Sequence, residues 1–69
     1  MSTSIAKVTE ITAQSTKGFE DAIESGIGRA CKTLNNVTGA WVNEMTLDVQ
    51  DGKISAYRVN MKVTFVLDD

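Results

Sequence analysis

Residues 40–67 read AWVNEMTLDVQDGKISAYRVNMKVTFVL, and the Asp51-Gly52 pair inside this stretch decides the fold. Asp-Gly between alternating apolar residues signals a β-hairpin, because a type I′ turn needs two residues that tolerate positive φ. The pair joins a strand over residues 40–50 to a strand over residues 53–67. Both arms exceed the usual strand of about five or six residues. With Asp51 and Gly52 at the centre of the turn, Gln50 pairs with Lys53, Asp48 with Ser55, Thr46 with Tyr57 and Val42 with Met61. Side chains alternate across a sheet. Tyr57, Val59, Met61, Val63, Phe65 and Leu67 therefore share one face, opposite Ala40, Val42, Glu44 and Thr46. The other face carries Gly39, Trp41, Asn43, Met45, Leu47 and Val49 from the first arm. Ile54, Ala56, Arg58, Asn60, Lys62 and Thr64 join them from the second. A register slip, or a local β-bulge, would exchange these faces.

Upstream of the hairpin, Phe19, Ala22, Ile23, Gly26, Ile27, Ala30, Leu34 and Val37 recur at helical spacing. The stripe predicts an amphipathic helix over residues 16–35. Ser15 or Thr16 is the expected N-cap, with Glu20 and Asp21 in the first turn, where the helix dipole favours them. Asn35 and Asn36 are expected at the C-terminal end. Ala22, Gly26 and Ala30 fall one turn apart, so the helix can lie close to what it packs on. Gly26 should mark the closest approach. Ile5, Val8, Thr9, Ile11 and Thr12 make residues 5–13 a β-branched segment, read as a strand. The Tyr57–Leu67 apolar face must cover the helix stripe. The expected architecture is α+β, in the order β-α-β-β, with a three-stranded antiparallel sheet wrapped partly round one helix.

The chain has 69 residues, enough for a single domain over residues 1–69. A domain of this size is marginally stable alone and usually relies on disulfides, a metal or oligomerisation. Cys31 is the only cysteine and there is no histidine. No intrachain disulfide is possible, and the usual partner of a nucleophilic cysteine and the usual zinc ligand are both missing. Cys31 reads as a small buried or half-buried thiol in mid-helix. Oligomerisation is the remaining route. One helix cannot cover so long a ribbon, and Trp41, Met45, Leu47, Val49 and Ile54 on the mixed face point to an interface or a ligand site.

Seven basic residues against nine acidic ones give no footprint for nucleic acid and no basic face for a membrane. No apolar run is long enough to span a bilayer, and no signal-peptide core precedes the first strand. A reducing cytoplasm suits an unpaired cysteine. Gly26-Ile27-Gly28 sits in mid-helix without a third glycine, so it is not a nucleotide loop. Asp48, Asp51, Asp68 and Asp69 lack ligand spacing within one chain and read as solvated turn and tail residues. Copies of them around a symmetry axis could still converge on a hard cation. No catalytic residue and no metal ligand set is expected within the chain.

The sequence resembles the dodecins, small flavin-binding proteins that form hollow homododecamers. The resemblance runs from Lys7-Val8-Thr9-Glu10-Ile11 through Ser15, Phe19, Ala22-Ile23 and Arg29-Ala30. It closes with Tyr57-Arg58-Val59-Asn60-Met61-Lys62-Val63-Thr64-Phe65-Val66-Leu67. It implies the same element order, a homododecamer, and a non-catalytic site in which two symmetry-related tryptophans sandwich stacked flavin rings while a last-strand glutamine holds the ring edge. An ungapped alignment places Arg58 at that glutamine and Gly39 at that tryptophan. Trp41 stands two residues on, on the same face and about 7 Å away.

Trp41, Arg58, Gly39, Asn43 and Met45 are accordingly the candidate ligand-binding residues, with riboflavin or flavin mononucleotide as the expected cofactor. Trp41 reads equally as a ring-stacking residue and as an interface aromatic. Arg58 reads as a donor to a ring carbonyl or phosphate, or as a salt-bridge partner of Glu44 or Asp48 in a neighbouring subunit. The expected function is a homododecameric shell that binds and sequesters a flavin or similar flat small molecule. The alternative is a dodecamer of the same fold that has lost flavin binding and serves as an ion-binding or structural assembly.

Overall fold

Asp51 and Gly52 both stand at positive φ, 53° and 77°. These are the left-handed conformations of a type I′ turn, whose twist matches that of the strands it joins. The turn links β2 (Val37–Gln50) to β3 (Lys53–Val66), with Gln50 opposite Lys53. The structure, a computed structural model, describes residues 3–67. Within them β1 (Ala6–Ser15) and α1 (Phe19–Thr33) precede the hairpin. All pairings are antiparallel and the sheet order is β1-β3-β2. The fold is the expected β-α-β-β arrangement, with β3 in the middle and an edge strand on either side.

The helix packs mainly on β1 and β3. Ala22, Gly26 and Ala30 are its buried residues, one turn apart as the stripe requires. A Cβ on Gly26 would lie 2.8 Å from Met61 Cε and 3.0 Å from Ala13 Cβ, so the backbone is in near contact with the sheet there. Ala22, Val59 and Met61 form the core, with Ile11, Ala13, Phe19, Ile23 and Ile27 packed round it. Burying a side chain the size of Val59 or Met61 contributes about 1.5–3 kcal/mol. The Phe19 and Tyr57 rings meet edge to face at 5.2 Å, which fixes the start of the helix against the sheet.

The helix ends differ from expectation. Gly18 is the N-cap and supplies no side-chain bond. Ser15 instead stays in β1, where its hydroxyl donates to Asp21 Oδ2 (2.6 Å) and accepts from the Lys17 N–H (2.9 Å). It ties strand to helix across the connecting turn and does not cap the helix. Leu34 is the C-cap. Asn36 adopts φ 61°, and its carbonyl accepts from the Val66 N–H at 3.0 Å. That reversal lets β2 start at Val37, three residues before its expected start.

The register of the hairpin differs most. Val42 pairs with Met61, as the uninterrupted count from the turn predicts, but Thr46 pairs with Arg58 and Asp48 with Ala56. Two bulges cause this. Ser55 is an extra residue in β3 between the Asp48–Ala56 and Val49–Ile54 pairs, and its hydroxyl donates to the Asp48 carbonyl at 3.1 Å. Asn43 is an extra residue in β2 between the Val42–Met61 and Glu44–Asn60 pairs. A bulge places two residues opposite one, so the second restores the pairing count, only residues 44–48 pair out of it, and the whole distal hairpin from residue 44 to residue 54 is turned over. A third bulge, at Thr38, adjusts the start of β2. Met45 and Leu47, opposite Val59 and Tyr57, thus lie on the helix side of the sheet, and Val49 with Ile54 follows them. Glu44, Thr46 and Asp48 move to the outer face.

The distal hairpin has no helix over it. Val42, Met45, Leu47, Val49 and Ile54 remain exposed. The molecule measures 55 × 19 × 13 Å with a radius of gyration of 14.5 Å. A compact domain of this length would have about 11 Å.

Candidate functional site

The outer face of the sheet gathers the polar and aromatic groups that the helix side excludes. Trp41 on β2 stands opposite Lys62 on β3, and Glu10 on β1 completes the row. The Lys62 ammonium lies over the Trp41 ring, 5.9 Å from its centroid, within cation–π range. The indole is 49% exposed, so a flat ring could still stack on it. Gly39, opposite Thr64, has open space where a side chain would project.

One row along, the side chains are held by one another. Asn60 donates to Thr12 Oγ1 and accepts from Asn43 Nδ2, both at 3.0 Å. The three residues stitch β1, β3 and β2 together on the outer face. In the next row Arg58 Nη2 lies 2.6 Å from Asp48 Oδ2 of the same chain. This corrects the expectation that Arg58 pairs with a neighbouring subunit. An unbroken register puts Asp48 on the far face, whereas the bulges bring it to the face of Arg58. The pair is about 40% exposed, 41% and 42% for the two side chains.

Of the five predicted site residues, Trp41, Gly39, Asn43 and Arg58 share the outer face. Met45 does not, because the Asn43 bulge turns it to the helix side opposite Val59. Lys62 belongs with the group; the sequence places it on this face as a second positive charge beside Arg58, though not among the five candidate residues. Its signal was the cross-strand pairing with Trp41, which follows from the Val42–Met61 pair. Asp48 carried no such signal, since its face depends on the bulges.

On the helix side, Ile23, Ile27 and Cys31 of α1 face residues 37–42 of β2 across an apolar groove of about 400 Å³ that also touches Met61. Cys31 is an exposed free thiol, not the buried or half-buried one expected, because the helix does not close over β2. Among the described residues no group of three histidine, cysteine or acidic side chains could hold a metal. Asp68 and Asp69, considered above as possible cation ligands, lie outside the described residues. No helix among the described residues is long and apolar enough to cross a membrane.

A long bulged hairpin whose central strand packs with β1 on one helix, with an indole on its outer face, defines a small α+β class with a sheet-borne aromatic site. The family model described as Dodecin matches residues 5–68, and the chain belongs to the dodecin family. Comparison with curated protein sequences finds no match. Among solved structures, dodecin from Streptomyces davaonensis is 40% identical, with 99% of this chain and 100% of that chain covered and a TM-score of 0.92. Dodecin from Streptomyces coelicolor is 28% identical, with 100% and 99% covered and a TM-score of 0.93. The calcium chelating immunodominant antigen of Mycobacterium tuberculosis, a calcium dodecin with a novel calcium-binding site, is 29% identical, with 93% and 91% covered and a TM-score of 0.80.

Proposed function

We propose that the chain assembles as a homododecameric shell that binds and sequesters a flat ring ligand of the flavin class on the Trp41 face, without catalysing its conversion. The observation that carries this reading is the half-exposed Trp41 indole with a lysine ammonium over it. An indole offers a flat apolar surface on which a second ring stacks. Two copies of the face across a two-fold axis would bring two indoles to one ligand pair. Family membership supports the assembly, and so does the bare helix-side surface of the distal hairpin, which closed symmetry would bury. An exposed free thiol at Cys31 suits the reducing cytoplasm as the compartment. Gly39 and Arg58, at the positions of the family's tryptophan and glutamine, leave the ring held by Trp41 alone, so affinity falls below that of members carrying both.

The test is titration of ligand-free protein with riboflavin and flavin mononucleotide, following quenching of flavin fluorescence. The parent chain should quench both and Trp41→Ala neither. If the parent quenches neither at high micromolar protein, flavin binding fails and the shell is an ion-binding or structural one. A cation would then have to collect ligands from several copies of the chain.

A further inference from the structure

We infer that Lys62 is the residue that selects, among flat ring ligands, those that carry a phosphate or another anionic group. The inference rests on the ring site at Trp41 proposed above. Glu10, Lys62 and Trp41 form one row across the three strands. The lysine stem can lean towards the carboxylate on β1 or the indole on β2. It leans to the indole, at 5.9 Å, and among the described residues makes no ion pair. The outer face carries the acidic groups Glu10, Glu44 and Asp48 and the basic groups Arg58 and Lys62, with Lys53 beside the turn, at the far end of the hairpin from Trp41. Asp48 and Arg58 neutralise each other at 2.6 Å. Glu44 stands in the Asn60 row, away from the ring. Lys62 is therefore the cation free to move when a ligand arrives.

A ring that stacks on Trp41 from the ammonium side must displace that ammonium. The displacement weakens binding about two- to fivefold, whatever the ring. A ligand with a phosphate gives the ammonium a new partner beside the ring and more than recovers the loss through a charge-assisted hydrogen bond. A neutral ligand does not. Lys62 thus disfavours the neutral ring and favours the anionic one, and Arg58, the charge most visible in the sequence, is already occupied.

The experiment titrates the assembled parent, Lys62→Met and Lys62→Arg with riboflavin and with flavin mononucleotide, by flavin fluorescence at low and high salt. Lys62→Met keeps the apolar stem and should lower flavin mononucleotide affinity roughly three- to tenfold. It should leave riboflavin unchanged or up to about fivefold tighter. Lys62→Arg should retain the parent's preference. In the parent, salt should weaken flavin mononucleotide alone, a readout that needs no variant to fold. Equal weakening of both flavins by Lys62→Met, or a ratio of affinities that neither the substitution nor salt changes, overturns the assignment while the ring site stands. Failure of the parent to quench either flavin removes the ring site and this assignment with it.

Discussion

Gly26 is the residue on which the packing of helix against sheet turns. Its missing Cβ would stand 3.0 Å from Ala13 Cβ and 2.8 Å from Met61 Cε. The methionine end can swing away, but Ala13 moves only with its strand. Gly26→Leu should overpack the core and destabilise the fold by about 1–3 kcal/mol or more. Gly26→Ala should be far milder, because the gain of about 1 kcal/mol in helix propensity opposes the contact. Chemical denaturation of the two variants checks the order, and a leucine variant as stable as the parent would place Gly26 away from the sheet. Arg58 and Asp48 behave differently. Their contact is short but exposed to solvent, so Arg58→Ala and Asp48→Ala should each cost no more than about 1 kcal/mol. A double-mutant cycle should show weak coupling that salt reduces. Gly26 was legible from the sequence, because its role needs only the helical phase. The Arg58–Asp48 pair was not, because strict alternation places the two on opposite faces.

At the scale of the element, the hairpin is set by its turn and then altered by its bulges. Asp51 and Gly52 sit in the left-handed region, which costs a residue with a Cβ about 1–2 kcal/mol. Asparagine and aspartate tolerate it better than alanine does. Gly52→Ala should therefore lower stability by about 1–2 kcal/mol although it meets no atom, and thermal unfolding should show it as a lowered midpoint. An unchanged midpoint would mean that the turn relaxes to another type. The Asp-Gly signal located this turn, and the count from it paired Val42 with Met61 correctly. That agreement hides the two bulges that cancel across residues 44–48. Bulges leave little trace in a sequence whose residues on both faces are part apolar. Here Met45 and Leu47 on the helix side, against Glu44, Thr46 and Asp48 outside, are the pattern that an in-phase reading had inverted.

The whole molecule is extended for its length, and the proposed assembly would cover what its helix leaves bare. Its longest dimension is 55 Å and its helix covers only β1 and β3 well. Met45 and Leu47 are 49% and 45% exposed on the side where a core would lie. Leu47→Asp should therefore break the assembly, while Thr46→Asp, one residue away on the outer face, should leave it intact. Light scattering at micromolar concentration distinguishes the two, and a Leu47→Asp protein that stays fully assembled would show that this surface is not a subunit contact. The bare surface itself was foreseen from the length of the ribbon. Its location was not, since the sequence count put most of the apolar side chains on the face of Trp41.

The order of elements, the helix stripe with Gly26 at its centre, the hairpin turn and the central apolar strand follow from the sequence alone. Each is written in local chemistry: a 3.6-residue period, an alternation, a pair of residues that accept positive φ. The tertiary structure decided which face residues 44–54 occupy, that Ser15 braces the helix start without capping it, that Cys31 stays exposed, and that Lys62 rather than Arg58 is the free charge beside Trp41. The first outcome depends on a one-residue displacement between strands, and the others on where one short helix seats on the sheet and which side chains meet there, neither of which is written in local sequence.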